Sequence, residues 1–371
     1  MNTWNAVRLS EVIELQRGHD LPVQERQHGD VPVLGSNGIV GFHNDARYAG
    51  PGVTIGRSGV IGGATYTVGS YWPLNTCLFV KNFKGNDSLW VYYWLKSIDF
   101  SSMDSGSAQP SLNRNYIAGI PVLLPPITAQ KAIAKVLGSL DDKIAANAQL
   151  AETLAAMAMA QFSLCAKSGK TSVPLKDLVT TQYGVTTSSH EGPGPKFLRV
   201  TDINKKPWIE WSTAPFCTVS ETELAKYQVS PGDILVARMA DPGKAAFVDR
   251  GDPEAVFASY LVRLRALDIR NSLYIYYFLR SDIYQNYAEG AMQGSVQKNM
   301  NAKVIVATDI SMPEPEKLSQ FNEVVSTLRT QLQTVLKESL KLSETRDALL
   351  PHLMSGKLSV KDAESVIESM V

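Results

Sequence analysis

The chain of 371 residues has 36 basic and 36 acidic side chains and therefore no formal net charge. This balance disfavours a protein that holds nucleic acid mainly through bulk positive potential, although it leaves base-specific loops open. Its three cysteines form no CxxC pair, which argues against a zinc ribbon or a disulfide framework and fits a reducing cytosol. No apolar run is long enough to span a bilayer, and with the cysteine pattern this predicts a cytoplasmic globular chain. Its length predicts two or three domains.

The chain contains two copies of one sequence unit. Its opening, "VRLSEVIELQRG" at 7–18, matches "VPLKDLVTTQYG" at 173–184 with an offset of 166. Further along, "SLWVYYWLKS" at 88–97 matches "SLYIYYFLRS" at 272–281 with an offset of 184. Collinear matches with a growing offset indicate a duplicated unit whose second copy has longer loops.

Each copy passes through the same elements in the same order. After the apolar opening come β-branched, strand-like stretches punctuated by Pro-Gly at 51–52 and at 231–232. The aromatic segment follows, and its spacing predicts an amphipathic helix whose tyrosines usually face a core, although they could stack on bases. Proline-containing segments then lead into a long helix.

The long helices carry a repeated apolar seam. In the first copy the seam runs from Ile133 to Ala158 in alternating steps of four and three, and Asn147 occupies one of its positions. In the second copy it runs from Phe321 to Leu349, at an offset of 188. Sustained spacing of this kind predicts a coiled coil, in which Asn147 is a candidate for fixing the register.

These patterns predict an α+β fold: two similar β-rich domains, separated by two long helices packed as an antiparallel coiled coil, with an internal pseudo-two-fold repeat. The predicted segments are domain one at 1–126, the central spacer helix at 127–168, domain two at 169–314, and the C-terminal spacer helix and tail at 315–371. Since Val360 aligns with Val173 and Val173 with Val7, we expect the segment after Leu349 to lie beside the start of domain one.

The stretch "SGKTSV" at 168–173 ends like a P-loop, which raises the possibility of an ATP-dependent enzyme. Leu164 stands where the first glycine of that signature belongs, and a helix rather than a strand precedes the stretch. In the second copy, "SGKLSV" at 355–360, leucine replaces the threonine that a P-loop requires. We therefore predict a helix end capped by Gly169, able to adopt positive φ, and no ATP binding at Lys170.

The layout resembles the specificity subunit of Type I restriction-modification enzymes. The resemblance is carried by the paired unit openings, by "GSAQPSLN" before "IPVLLPP", and by "LLPHLMSGKLSV" after the second helix. Their order covers nearly the whole chain. In one departure, "MPEPEKLSQF" of the second copy stands against "LPPITAQKAI" of the first, so we expect the second partner dock to differ in detail from the first.

The resemblance implies a non-catalytic subunit that takes part in DNA methylation and phage defence. Each β-rich domain would be a target recognition domain that reads one half of a bipartite sequence in double-stranded DNA. The helices would be a spacer and a dock for two DNA methyltransferase (M) subunits, which restriction/motor (R) subunits join for cleavage. No cofactor, metal or membrane is implied for this chain, and it lacks the methyltransferase tetrad.

Two other readings remain open beside the ATP-dependent enzyme. A coiled-coil scaffold would explain the helices but would need neither elaborate β-rich domain. A closer alternative is the specificity subunit of a fused methyltransferase-nuclease restriction enzyme, which the neighbouring genes would distinguish.

Candidate DNA contacts follow from the chemistry of base edges, which Arg, Lys, Asn, Gln and Ser read from exposed loops. Arg57 and Arg238 follow matching turns and strands, and a surface or salt-bridged arginine is the alternative at each. Polar loops in the two copies are paired at an offset of 184. The candidate DNA-binding residues are Arg57, Ser58, Gln109, Ser111, Asn113, Arg114, Arg238, Gln293, Ser295, Gln297 and Lys298.

Overall fold

A computed structural model of the protein describes residues 4–100, 103, 111–292 and 299–368. The chain divides into two compact units. The first unit runs to Ala146 and resumes at Lys341, and the second spans Asn147–Leu340.

The first unit is β-rich. Its strands are β1 (Asn5–Arg8), β2 (Glu14–Arg17), β3 (Val31–Gly35), β4 (Gly38–His43), β5 (Gly52–Gly56), β6 (Gly62–Thr67), β7 (Trp72–Pro73), β8 (Cys77–Asn82) and β9 (Pro121–Leu124). An antiparallel sheet has the order β2-β8-β5-β6, a second sheet has the order β4-β3-β7, and β1 pairs with β9. Every residue of β5 is buried, as expected for the β-branched interior strand of a covered sheet.

The second unit repeats this plan. Its strands are β10 (Thr171–Pro174), β11 (Val179–Tyr183), β12 (Ser189–His190), β13 (Lys196–Leu198), β14 (Phe216–Cys217), β15 (Ile234–Ala237), β16 (Ala245–Phe247), β17 (Ala255–Phe257), β18 (Leu261–Ala266) and β19 (Asp309–Met312). The antiparallel sheet β11-β18-β15-β16 corresponds to β2-β8-β5-β6, and the pair β10-β19 corresponds to β1-β9. The duplication in the sequence is therefore also a duplication of sheet topology.

The helices follow the same repeat. They are α1 (Leu9–Val12), α2 (Ser88–Lys96), α3 (Arg114–Ile117), α4 (Ile127–Ala166), α5 (Glu221–Tyr227), α6 (Ser272–Arg280), α7 (Asp282–Met292), α8 (Ala302–Ile305), α9 (Pro315–Met354) and α10 (Val360–Glu368). The predicted aromatic helices are confirmed as α2 and α6. Trp90 and Tyr93 of α2, like Tyr274 and Tyr277 of α6, are buried in the cores of their own units.

The long helices α4 and α9 pack through the predicted seam. Within the second unit Asn147 Nδ2 donates to Glu338 Oε2 at 2.8 Å, Leu154 clusters with Leu332, and the ring of Phe162 lies 6.4 Å from that of Phe321. Residue numbers rise along one helix while they fall along the other, so the helices are antiparallel. Because the amide of the buried Asn147 is bonded, its place in the seam is compatible with a role in fixing the register.

The C-terminal segment lies against the start of the chain within the first unit. Val7 and Val360 pack on the same hydrophobic cluster. A Cβ added at Gly356 would lie 3.3 Å from the indole of Trp4. The predicted position of this segment is thereby confirmed.

The P-loop-like stretch is the end of a helix followed by a strand. Lys170 Nζ lies 3.6 Å from Glu314 Oε1, and Thr171 opens β10. A Cβ at Gly169 would lie 2.4 Å from Ser311 Oγ, so a larger residue there would require the Ser311 side chain to move. The left-handed glycine expected at this position is found instead in the second copy, where Gly356 has a φ of 69°.

Candidate nucleic-acid interface

Arg57 is fixed by its backbone at the end of β5. Its N–H donates to Thr76 O at 2.9 Å, and its carbonyl accepts from Leu112 N at 2.8 Å. Ser58 and Ser111 form an isolated antiparallel bridge beside these bonds. The loop after β5 and the polar loop before α3 are therefore held together, although they are far apart in the sequence.

The side chains around this junction line a concavity of about 690 Å³. Four of the predicted residues meet there: Arg57, Ser111, Asn113 and Arg114. The rest of its lining is formed by Gln16, Arg17, Gly18, His19, Asp20, Leu78 and Leu112. Among the described lining residues, three guanidinium groups thus share a surface with one carboxylate, an arrangement suited to an anionic ligand.

The side chains of His19 and Asp20 in the concavity are bonded to neighbours, whereas that of Arg57 is largely free within the described part of the chain. His19 Nε2 is 2.9 Å from Tyr48 Oη, and burial, reinforced by the charge of Arg47, lowers the pKa of His19. Asp20 accepts a hydrogen bond from Asn75 Nδ2. Arg57 Nη1 donates to Asn75 O over a long 3.4 Å. Its other guanidinium donors have no protein partner among the described residues.

The same backbone bonds recur in the second unit around Arg238. Its N–H donates to Tyr260 O at 3.0 Å, and its carbonyl accepts from Met300 N at 2.9 Å. The guanidinium carbon lies 5.0 Å from the ring centroid of Tyr183, within cation–π range. We call Arg17, Arg57 and residues 111–114 the first frame, and Tyr183, Arg238 and residues 299–302 the second frame.

The two frames correct the predicted pairing of the polar loops. Asn113 accepts from Asn115 N at 3.0 Å and caps α3, whereas Asn301 accepts from Val304 N at 3.0 Å and caps α8. With Leu112 matched to Met300 by their bonds to the arginines, the offset is 188. The pairing of Asn113 with Gln297 was therefore wrong.

The sequence already contained the correct signal, because "GSAQPSLN" aligns with "GSVQKNMN" at the offset of 188 seen for the long helices. With this offset Ser111 corresponds to Asn299 and Arg114 corresponds to Ala302. The predicted residues Gln109, Gln293, Ser295, Gln297 and Lys298 lie outside the described residues.

Sequence reasoning missed Arg17 and Tyr183, which end β2 and β11. Each precedes a glycine, and a Cβ at Gly18 or Gly184 would overlap a backbone carbonyl of the neighbouring chain segment. The "RG" and "YG" endings of the two unit openings are the signal that could have located them. The glycines allow the close approach that places the preceding side chains in their frames.

The loops after the two arginines also share an unusual backbone. Gly59 and Gly62 have φ values of 83° and 77°, and their counterparts Ala240 and Gly243 have values of 63° and 89°. Alanine rarely adopts this conformation, so Ala240 is a strained residue in the second loop.

The described residues contain no group of three or more His, Cys, Asp or Glu side chains that could hold a metal ion. In the same part of the chain, no helix combines the length and the hydropathy needed to cross a membrane.

Residues 1–156 match the family model described as Type I restriction modification DNA specificity domain. Residues 1–156 therefore resemble a Type I restriction-modification DNA specificity domain. The resemblance predicted from the sequence is thereby confirmed, and the chain is a relative of Type I specificity subunits.

Individual relatives extend this match. The Type I restriction enzyme MjaVIII specificity subunit of Methanocaldococcus jannaschii is 22% identical over 74% of this chain and 71% of its own length. The EcoprrI specificity subunit of Escherichia coli is 24% identical over 36% of this chain and 35% of its own length, so the match to that relative spans about a third of it.

A solved structure extends the likeness to the fold. The Type I restriction-modification S subunit from M. genitalium is 14% identical and superimposes with a TM-score of 0.63. The match covers 94% of this chain and 96% of that one. The predicted α+β fold with its internal repeat and its antiparallel long helices is thereby confirmed.

Proposed function

We propose that this specificity-subunit relative reads a bipartite sequence in double-stranded DNA, with one target recognition domain in residues 1–126 and another in residues 169–314. It would work in the cytoplasm as the non-catalytic subunit of a complex with two methyltransferase subunits, which restriction/motor subunits join. The single observation that carries this proposal is the recurrence of one arginine-bearing backbone frame in both units.

Duplicated frames support the reading of two half-sites. In each frame, a loop arginine and a capped polar loop are held by the same pair of backbone bonds, while the side chains around them differ. A common backbone with different side chains is what two related domains need to read two different short sequences. An Arg-rich polar surface also carries the donors that guanine and phosphate oxygens accept from.

Partner docking is supported by a second apolar stripe on α4. Leu150, Met157 and Leu164 repeat every seven residues and are 44%, 50% and 60% exposed. They lie outside the buried seam to which Ala151, Leu154 and Ala158 belong. A heptad stripe that stays exposed fits the apolar face of another helix, and we assign it to a methyltransferase subunit.

The test is to map methylated sites for the subunit assembled with its methyltransferase. We expect Arg57→Ala and Arg238→Ala each to relax one half of the sequence, and not the same half. Loss of a bidentate base contact should cost about 1–3 kcal/mol in binding. If both substitutions loosened both halves together, the assignment of one frame to each half-site would be wrong.

Docking is tested separately by Met157→Glu, which places a charge in the exposed stripe of α4. We expect it to prevent co-purification of methyltransferase at that site, while Ala156→Glu, at an exposed position about 100° around the helix from Met157 and outside the stripe, serves as the matched control. If the partner that co-purifies is one chain with both methyltransferase and nuclease activity, the fused-enzyme alternative replaces the three-subunit system.

A further inference from the structure

The two frames differ in positive charge. The first contains Arg17, Arg57 and Arg114, whereas the corresponding positions in the second are Tyr183, Arg238 and Ala302. Two of three arginines are therefore replaced by uncharged side chains. This difference does not show in the overall composition, where basic and acidic residues balance.

The arginines of the first frame are available to a ligand. Arg17 and Arg114 are exposed, and within the described part of the chain neither forms an ion pair with a carboxylate. Asp20 is the carboxylate that shares their concavity, and it is already bonded to Asn75. Exposed guanidinium groups around a polar concavity, where the described lining contributes a single carboxylate, suit phosphate oxygens.

The arginine of the second frame is held differently. Arg238 lies over the ring of Tyr183 and is half-buried, and its Nε is buried without a hydrogen-bond partner among the described residues. Tyr183 itself is fixed, since its hydroxyl accepts from Ala302 N at 2.9 Å. Stacking on an anchored ring holds this guanidinium plane in one orientation, which suits a directional hydrogen bond more than a diffuse phosphate contact.

We propose that Arg17 and Arg114 bind DNA backbone phosphates, so that the first recognition domain supplies more of the electrostatic affinity than the second. This inference rests on the proposed function and adds that the two half-sites are bound with unequal electrostatic affinity. Each phosphate neutralised on B-DNA adds about 0.9 to the negative slope of log K against log salt concentration. The two arginines should therefore account for about 1.8 of the slope of the assembled complex.

The experiment measures the affinity of the methyltransferase-bound subunit for its target duplex between about 50 and 200 mM salt. We expect Arg17→Gln and Arg114→Gln each to reduce the slope by about one, and the double variant by about two. Arg17→Lys keeps the charge and should keep the slope. Arg270→Gln is the matched control, because Arg270 is exposed, lies outside both frames and is paired with Asp268.

The reciprocal substitution sharpens the test. Tyr183 is 42% exposed, so Tyr183→Arg adds to the second frame a charge like that of Arg17 and should increase the slope by about one. Thermal unfolding of every variant identifies those that fail to fold, and for position 17 the lysine variant then decides.

The outcomes separate the two proposals. An unchanged slope for both Gln variants, in a complex that still binds and methylates its bipartite site, overturns this inference and leaves the proposed function standing. A changed sequence preference in either Gln variant also overturns it, because a base rather than a phosphate would then be contacted. A wild-type complex with no sequence preference would instead overturn the proposed function.

Discussion

In the first frame Arg57 joins a concavity with two more arginines, and in the second frame Arg238 lies against the ring of Tyr183. The same two kinds of backbone bond hold both arginines. In each unit the arginine N–H donates to a carbonyl of one neighbouring segment, and the arginine carbonyl accepts from an N–H of another. The comparison teaches that the backbone of this fold tolerates a change from an electrostatic to a stacking environment. Side chains after a fixed strand end can diverge because the backbone bonds do not depend on them.

A second contrast concerns how each β-rich part is attached to its long helix. In the first unit Asp141 of α4 accepts from Tyr93 Oη at 2.7 Å and pairs with Arg346. At the corresponding place in the second unit, Arg329 of α9 pairs with Asp249 through two bonds of 2.8 and 2.6 Å. Positions at the same offset of 188 thus carry opposite charges.

The largest effect that would sharpen this contrast is expected at Arg329. Its side chain is 4% exposed, so Arg329→Ala leaves Asp249 buried without its charge partner and should cost about 3–5 kcal/mol of folding free energy. Asp141 is 29% exposed, so Asp141→Ala should cost about 1–2 kcal/mol. Denaturant unfolding of the full chain measures both.

The control for that comparison is the double substitution Arg329→Met with Asp249→Leu, which removes both charges and should recover most of the loss. Equal losses for Arg329→Ala and Asp141→Ala would mean that burial does not distinguish the two attachments.

A pH dependence of folding stability is expected in the second unit at Asp252. Asp252 accepts from Asp249 N at 2.8 Å, and burial, with the charge of Asp249 acting in the same direction, raises the pKa of Asp252 to about 6. The folded state therefore binds this proton more tightly than the unfolded chain, whose carboxyl has its ordinary pKa of about 3.9. Stability from this group is present below the unfolded pKa and is lost as the pH rises through about 6.

Unfolding of the wild type and of Asp252→Asn at pH values between about 4 and 7 provides the measurement. The wild type should lose stability over this range relative to the variant, which carries no titrating group at this position. Parallel curves for the two proteins would contradict the raised pKa.

A smaller effect compares the loops that follow the two arginines. Gly59→Ala places a side chain at a φ of 83°, where its Cβ meets no atom within 4 Å, so only backbone strain opposes it. We expect a loss of about 1 kcal/mol. Ala240→Gly relieves the same strain and should be neutral or stabilising by a few tenths of a kcal/mol. If Ala240→Gly lost as much stability as Gly59→Ala, backbone strain at this position would not explain the difference between the two loops.

The smallest expected effect is at Lys170. Because Lys170 follows a helix and pairs with Glu314, calorimetry with Mg-ATP should show no binding, and Lys170→Ala should change nothing. Micromolar binding that is lost in Lys170→Ala would restore the nucleotide-site reading.

Much of the architecture could be predicted from the sequence because it depends on periodic patterns. The helical seams, the aromatic helices and the order of strands all repeat at offsets that the sequence shows directly. Apolar spacing fixes which face of a helix is buried, and the internal repeat provides each prediction with an independent second reading. The C-terminal segment was placed by the same logic, since its end aligns with the junction before domain two.

The candidate site was predicted only in part. Arg57 and the polar loop before α3 were found from residue type, but nothing local to the sequence indicates that Leu112 N bonds to Arg57 O. The pairing of the polar loops failed because a short match at an offset of 184 competed with the correct one at 188.

The sequence by itself determined the duplication, the two helical seams and the class of residues available to bind DNA, because these follow from spacing and side-chain chemistry. Tertiary structure alone decided which residues meet. It brought Arg17 and Arg114 to one concavity and placed Tyr183 beneath Arg238. The physical reason is that strand pairing and close glycine contacts join segments that are distant in the sequence. These contacts set the positions of the side chains, and the residues next to each side chain in the sequence do not indicate its partner.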